Sequence, residues 1–440
     1  MNPTASPHTL HDLIPRAFVR WSFLAALLTT LAFTAPAADS ARWWRGNLHT
    51  HSFWSDGDDF PESIAEFYKT NGYHFLAFTD HNTLHITNKW VNTETGKSAK
   101  IAFPKYAARW PKEWLETRKG KDNATEVRLK LMSEYRGKFE EPDRFLILQS
   151  EEISDRWKTA PIHINAHNLR EPVRPQGGES VVVTISNNIA AVLDQRRRTG
   201  QPMFPHINHP NFQYALTPEE MMQVRDVRFF EVFNGHPGVH NNGNPTNRAP
   251  SMNRLWDIVL TRRLAELKYP VMYGLGTDDG HNYHTNRVGA SNPLRGWVWV
   301  RSAKLTPESL IAALEAGDFY SSSGVKLREL RQDAKGISLE IEAQPGVTYT
   351  TQFIGTRRGY DAKNEPVRNA AGEALRVAHT YSRELGMVLA EVKGAKASYT
   401  PKGDELYVRA KVVSSKPHPN PSQKGDFETA WTQPIVPAAR

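Results

Sequence analysis

The chain reads as an α/β protein: a barrel or doubly wound sheet over residues 42–323, followed by a small β domain over 324–440. Three observations predict this. Apolar, strand-like runs alternate with amphipathic helical windows up to residue 323, the rhythm of strands joined by crossover helices. After Gly324 the long helical windows vanish and apolar–polar alternation takes over. Clusters of His and carboxylates recur at the C-terminal ends of successive apolar runs, where barrels and doubly wound sheets carry their chemistry.

Residues 1–37 are expected to be a signal peptide. Arg16 and Arg20 precede the apolar stretch 21–28, Leu31-Ala32-Phe33 extends it, and Ala35-Pro36-Ala37 supplies a small-x-small cleavage pattern. The apolar part is short for a bilayer span. No stable membrane insertion is therefore expected after cleavage, and the mature chain is expected to be exported, periplasmic or extracellular.

Strand and helix alternate from Arg42. Pro61-Glu62-Ser63 opens a helix with Pro in its first turn, Ile64, Phe67 and Tyr68 share one face, and Gly72 stops it. Strands are expected at 75–79, 145–148, 228–233, 271–274 and 297–300, and helices near 185–199, 217–226, 251–267 and 307–316. Thr217-Pro218-Glu219-Glu220 and Thr306-Pro307-Glu308-Ser309 each combine a capping Thr, a first-position Pro and early acids. Residues 104–142 break the rhythm with a polar, Trp-containing stretch read as a helical insertion, either covering the barrel mouth or running over the surface. The β domain, a small sandwich, rests on Ile337-Ser338-Leu339-Glu340-Ile341-Glu342 and on 405–412, which alternate strictly. The Pro-, Ser- and Lys-rich 414–426 is expected as an exposed loop. Trp43, Trp44, Trp297 and Trp299 are assigned to the core.

Composition excludes several chemistries. With no Cys there is no disulfide framework, zinc ribbon or thiolate nucleophile. The net charge of +8 is spread along the chain, and its densest basic run, Arg196-Arg197-Arg198, reads as a solvated helix end, so no nucleic-acid partner is expected.

The motifs point to metal. His49 and His51, one residue apart on an extended segment, share a face. Ser55-Asp56-Gly57 and Thr79-Asp80-His81 follow, then Glu151-Glu152, His163, His206-Ile207-Asn208-His209-Pro210 and Asp278-Asp279-Gly280-His281. Of 17 His, 13 lie between His49 and His284, which argues against scatter. Imidazoles with a few carboxylates suit Zn, Mn or Fe(II), whereas Ca or Mg would want more oxygen. His74, alone in an apolar run, reads as structural. Asn234 and His236, after the apolar run 229–233, are candidate substrate contacts, and Arg287 lies close after the last motif.

This ordered set resembles the PHP (polymerase and histidinol phosphatase) superfamily over residues 44–323. Thr79-Asp80-His81-Asn82 and the 317–324 stretch Gly-Asp-Phe-Tyr-Ser-Ser-Ser-Gly are similar to its exported, carbaryl-hydrolase-like branch. The resemblance implies a distorted (β/α)7 barrel holding two or three divalent ions. It implies ligand roles for His49, His51, Asp56, His81, His163, His209, Asp279 and His281, with Glu152 rather than Glu151 as the carboxylate bridging two ions. His209 is preferred to His206 because Pro210 follows it. The last motif carries one residue more than the family's Gly-Ser-Asp-x-His, so Asp279 is favoured as the ligand and Asp278 as its support. Asp80 is expected to orient a ligand.

The activity implied is hydrolysis of a phosphoester of a small molecule. A Glu bridging two ions lets a hydroxide sit between them with its pKa drawn toward neutrality. That hydroxide attacks the ester, while His281 or a third ion assists the leaving group; Glu152, Asp279 and His281 are the catalytic candidates. Two alternatives stay open: a carboxylic or carbamate ester hydrolase on the same site, and a non-catalytic, metal-dependent binding protein of the cell envelope.

Overall fold

The computed structural model describes residues 41–246 and 248–438; the expected signal peptide lies outside them. In chain order come β1 (Arg42–Asn47), α1 (Pro61–Thr70), β2 (Phe75–Phe78), β3 (Trp90–Asn92), α2 (Lys97–Arg109), β4 (Thr117–Lys119), β5 (Thr125–Arg128) and α3 (Met132–Phe139). Next are β6 (Leu146–Trp157), β7 (Ala160–His167), α4 (Val181–Thr199), β8 (Phe204–Ile207), α5 (Pro218–Gln223), β9 (Phe229–Asn234), α6 (Met252–Arg262), β10 (Tyr273–Thr277), β11 (Trp297–Ser302), α7 (Pro307–Glu315) and β12 (Phe319–Ser322). Helix starts follow local chemistry. Thr217 and Thr306 each accept a bond from the backbone N–H three residues on, behind a first-turn Pro. Helix α4 begins earlier than its apolar window because Ser180 caps it, accepting from Val183 N.

The mixed α/β body is built on one sheet of thirteen strands. Parallel ladders join β1 to β2, β2 to β6, β8 to β9 and β9 to β10. Strand β7 departs from the expected alternation by pairing antiparallel with both β6 and β8. Only Lys158 and Thr159 separate β6 from β7, too short a link for a crossover helix. Beyond β1 and β10 the first and last motifs meet: Asp279 N–H donates to His49 C=O at 3.1 Å and His51 N–H to Gly280 C=O at 3.0 Å. Leu48, Phe75, Leu148, Phe204, Phe229 and Leu275 pack beneath them as one apolar cluster.

The segment read as a helical insertion mixes helix with strand and starts before residue 104. Strands β3, β5 and β4 form their own antiparallel sheet, and α2 opens at Lys97. Strands of three or four residues carry too little periodicity to read from sequence. Trp54, Phe60, Tyr106 and Val127 cluster at the junction of this segment with the body.

After residue 323 come β13 (Leu327–Asp333), β14 (Gly336–Ile341), β15 (Tyr349–Arg357), the short pair β16 (Asn364–Glu365) and β17 (Thr380–Tyr381), then β18 (Met387–Lys393), β19 (Lys396–Tyr399), β20 (Glu405–Pro417) and β21 (Phe427–Thr432). Strands β21, β20, β15 and β18 extend the main sheet, because β21 pairs antiparallel with both β12 and β20. The separate sheet β13–β14–β19 shares with them a core that includes Leu327, Leu339, Phe353, Val408 and Val412. Of the stretch 414–426, expected as an exposed loop, residues 414–417 belong to β20 and 418–426 is docked. Asn420 donates to Pro293 C=O at 2.9 Å and accepts from the fully buried Arg295 at 3.1 and 3.2 Å. Trp44 and Trp297 are buried, while Trp43 and Trp299 are half-buried against Tyr320. No described helix is long and apolar enough to cross a membrane.

Candidate metal centre

The extended backbone past β1 turns His49 and His51 to one side, and their Nε2 atoms come within 3.1 Å of each other. Thr50 points the other way and accepts from Asn47 Nδ2 at 2.6 Å. Strand β6 brings Glu152 to the centre of the cluster. Its Oε2 lies 3.4, 3.3 and 3.0 Å from His49, His51 and His81, while its Oε1 lies 2.9 Å from His163 and 3.4 Å from His209. One carboxylate thus offers a different oxygen to each of two imidazole sets. Asp279 Oδ1 is 3.3 Å from Nε2 of both His49 and His51, and Asp56 reaches His51, His81 and His281 at 3.4–3.6 Å.

All nine residues expected as ligands fall in groups whose ligand atoms lie within 4.8 Å of one another: His51, Asp56, His81 and His281; His49, His51 and Glu152; His49, His209 and Asp279; His81, Glu152 and His163. His49, His51, His209, Glu152 and Asp279 form a buried floor, and Asp56, His81, His163 and His281 the accessible rim.

The backbone is shaped to this end. Asp56 folds back over His51 because Gly57 has no side chain: a Cβ there would stand 2.5 Å from the His51 carbonyl and Ser52 N. His209 and Asp279 adopt left-handed φ of 23° and 49°. Non-glycine residues held so cost of order 1–3 kcal/mol each, and such strain clusters at functional sites.

Adjacent carboxylates take different positions. Asp278 is saturated: it accepts from Arg295 N (2.6 Å), Gly296 N (2.8 Å), Leu294 N (2.9 Å) and Tyr68 OH (2.8 Å). Asp279 faces the imidazoles, steadied by Asn234 Nδ2 at 3.1 Å. Asp80 acts on a neighbour other than His81. It accepts from Ser52 N and Oγ, His85 Nε2 and Ser55 Oγ, and Ser55 Oγ lies 3.2 Å from His51 Nδ1.

The electrostatics call for cations. Burial alone would lower His49, but Asp279, Glu231 and Glu152 outweigh it and hold its pKa well above the ordinary value. Burial is likewise overcome at His81, which rises to about 9 through Glu152 and Asp56. Burial would raise Glu152 and Asp279, yet the surrounding imidazoles hold both well below the usual carboxylate range. No described Lys or Arg forms an ion pair with Asp56, Glu152, Glu231 or Asp279. Protons on His49 and His81 therefore stand in for positive charge that neutral imidazoles would need from metal. His163 Nδ1 completes the fit: buried, 2.9 Å from Glu152 Oε1, yet in no hydrogen bond. The donor set suits divalent metal ions.

Other placements differ from the sequence reading. Asn234, expected against substrate, is fully buried and donates to Glu231 at 2.8 Å as well as to Asp279, so it holds ligands from behind. Arg287 is exposed, and no ion pair or hydrogen bond joins its guanidinium to the cluster. His236 does stand at the rim, its ring 5.6 Å from that of His281. Its Nδ1 accepts from Gly238 N, which leaves the proton of the neutral ring on Nε2, and burial draws its pKa down to about 4. His74 is structural, accepting from Arg45 N at 3.0 Å.

Sequence reasoning missed Glu231. Fully buried in β9, it accepts from His49 Nδ1 (2.7 Å), Thr277 Oγ1 (2.8 Å) and His209 N (2.7 Å), and His206 Nε2 lies 3.3 Å away. That fixes the His49 tautomer with Nε2 turned to the centre. Its signal was a lone acid inside Phe229-Phe230-Glu231-Val232-Phe233. Asn208 was also missed; it donates to Glu152 Oε1 at 2.7 Å.

No family model and no curated protein matches the chain. Among solved structures it is similar to a two-domain protein from Bacteroides vulgatus containing a predicted PHP-like metal-dependent phosphoesterase. That alignment has 14% identity, covers 90% of this chain and 97% of that one, and has a TM-score of 0.40. A second, from Bifidobacterium adolescentis and assigned by prediction as a metal-dependent phosphoesterase, aligns at 12% identity over 54% of this chain and 87% of its own, with a TM-score of 0.27.

Proposed function

We propose that the chain is a metal-dependent phosphoesterase of the PHP type, acting on a small molecule. The observation that carries the reading is Glu152, which offers one oxygen to His49, His51 and His81 and the other to His163 and His209. That is the disposition expected of a carboxylate shared between two ions. Divalent ions held there would supply Lewis acidity and lower the pKa of a water toward neutrality. Nine donors without a paired Lys or Arg leave the neutralisation of a phosphate to such ions.

The protein's own residues do the rest. Glu231 and Ser55 keep His49 and His51 in register, and Asn234 keeps Asp279 turned inward. His236 Nε2–H is positioned to donate to a substrate oxygen at the rim, and Phe212, 5.1 Å from the His209 ring and 5.9 Å from that of His236, gives the mouth one apolar wall. His281, whose Nδ1 lies 2.9 Å from Asp279 C=O, turns Nε2 toward Asp56 at 3.4 Å, where the two would help hold a further ion beside the leaving group.

In this reading β1, β2 and β6 to β10 form the distorted seven-stranded barrel, and residues 1–37 direct export. The lack of paired Lys or Arg favours a second reading, in which the substrate is a neutral carboxylic or carbamate ester. Metal analysis of the purified protein, with turnover of nitrophenyl phosphate and nitrophenyl acetate before and after chelation, tests both. Expected are about two or more Zn, Mn or Fe per chain and phosphate-ester turnover lost on chelation and restored by metal. Turnover of acetate alone would select the second reading. A metal-free protein without turnover after reconstitution would leave envelope binding.

A further inference from the structure

Beneath the metal centre a row of polar side chains crosses four neighbouring strands. Strands β6, β7, β8 and β9 lie side by side in the main sheet and carry Ser150, His167, His206 and Glu231 in that order. Register brings the row together. Ser150 pairs with His167 across β6 and β7, His167 pairs with Phe204 across β7 and β8, and His206 follows Phe204 by two residues on the same face. All four members of the row are at most 2% exposed, and the His167 ring stacks on Phe204 with centres 4.5 Å apart. Polar groups buried this deeply need partners, and here they partner one another.

The contacts run in one direction. Glu231 already accepts from Thr277 Oγ1, His209 N and Asn234 Nδ2, so it is an acceptor for His206 too, whose Nε2–H donates to Oε1 at 3.3 Å. Burial lowers the pKa of His206 and keeps the ring neutral. Its Nδ1 therefore accepts, from His167 Nε2–H at 3.1 Å. Burial keeps His167 neutral as well, which leaves its Nδ1 to accept from Ser150 Oγ at 3.2 Å. Every N–H in the row thus points toward Glu231, and hydrogen bonds in series polarise one another where the dielectric is low. At the far end, Ser150 Oγ otherwise reaches only the Leu148 carbonyl, at 3.5 Å, among the described residues. The row closes inside the core, as an orienting device does and a proton channel does not. At the near end it meets a ligand: His49 Nδ1 donates to the same Glu231 Oε1 at 2.7 Å and turns its Nε2 to Glu152 and Asp279. Where His206 holds that oxygen decides where His49 finds it.

We propose that His206, itself oriented by His167, is a positioning residue of the metal centre: it fixes Glu231 Oε1 so that His49 keeps its proton on Nδ1 and its Nε2 for metal. The inference rests on the metal-centre reading and adds to it a histidine that acts from behind the ligands.

The test compares two carboxamides in the full chain. His206→Gln sets its amide nitrogen where Nε2 stands, whereas His206→Asn reaches only the position of Nδ1. In competition for zinc with a chromophoric chelator, His206→Gln should stay within about twofold of wild type and His206→Asn should bind about three- to tenfold more weakly, short of the roughly 10–100-fold of a group that touches the ligand itself. A histidine with a merely structural role would leave the two variants alike. Long-range proton–nitrogen correlation NMR of zinc-loaded, histidine-labelled wild type should show the Nε2–H tautomer at His206 and His167 and the Nδ1–H tautomer at His49, a reading independent of whether the variants fold. Zinc held by His206→Asn as tightly as by wild type, or an Nδ1–H tautomer at His206 or His167, would overturn this inference and leave the metal-centre reading standing. A wild type that takes up no zinc, manganese or iron would overturn both.

Discussion

The buried carboxylates of Glu152 and Asp257 make an instructive pair. Asp257 accepts from Tyr407 OH and from Arg409 Nε and Nη2, all at 2.7–2.8 Å. Glu152 is approached by five imidazoles at 2.9–3.4 Å, one of them through a nitrogen in no hydrogen bond. The first carboxylate is a strut tying α6 to β20; the second gathers donors around a place for cations. Asp278 and Asp279 repeat the contrast within two residues. Burial and charge alone do not separate a structural acid from a functional one, whereas saturation by good donors does.

The largest expected effects set Glu152→Ala against Asp257→Ala. Elemental analysis and ester turnover should find Glu152→Ala folded but without metal or activity. Asp257→Ala should lose roughly 3–5 kcal/mol in denaturant unfolding, because Arg409 is left buried and unpaired, while metal per folded chain is unchanged. Metal retained and activity intact in Glu152→Ala would end the comparison.

Next come the neighbours. Asp279→Asn should deplete metal with little change in unfolding midpoint. Asp278→Asn should lower the free energy of unfolding by about 1–3 kcal/mol, since an amide cannot accept from all four donors, with metal content kept. The reverse pattern would exchange their roles.

The smallest effect is assigned to Glu231→Gln. Competition with a chromophoric chelator should show metal bound about 10–100-fold more weakly at unchanged stoichiometry, as loss of a carboxylate behind a ligating imidazole implies. Unaltered affinity would mean that Glu231 does not orient His49.

What could be read from the sequence was local. His49 with His51, and His81, the pair Glu151-Glu152 and His281 at the ends of apolar runs, follow from strand periodicity and position, whereas the choice of Glu152 came from the family resemblance; the structure gathers His49, His51, His81, Glu152 and His281. Glu231 was harder, because its partner His49 lies 182 residues away and nothing in a single sequence links them. The spacing of Asp278 and Asp279 could not separate their roles, which depend on donors at Leu294, Arg295 and Gly296, 16 to 18 residues later. The hairpin β6–β7 hid because its turn is only two residues long. The docking of 418–426 hid because polar composition signals solvent unless a buried partner such as Arg295 is known.

Strand β21 carries one more implication. It lies between β12 and β20, so residues 427–432 close a gap whose other bank is laid down about a hundred residues earlier. During synthesis the edge of β12 must wait, with unpaired backbone amides and carbonyls, until residues 427–432 have emerged about a hundred residues later. A ribosome that stalls before residue 427 therefore releases a body with its sheet open at that edge, a template for self-association.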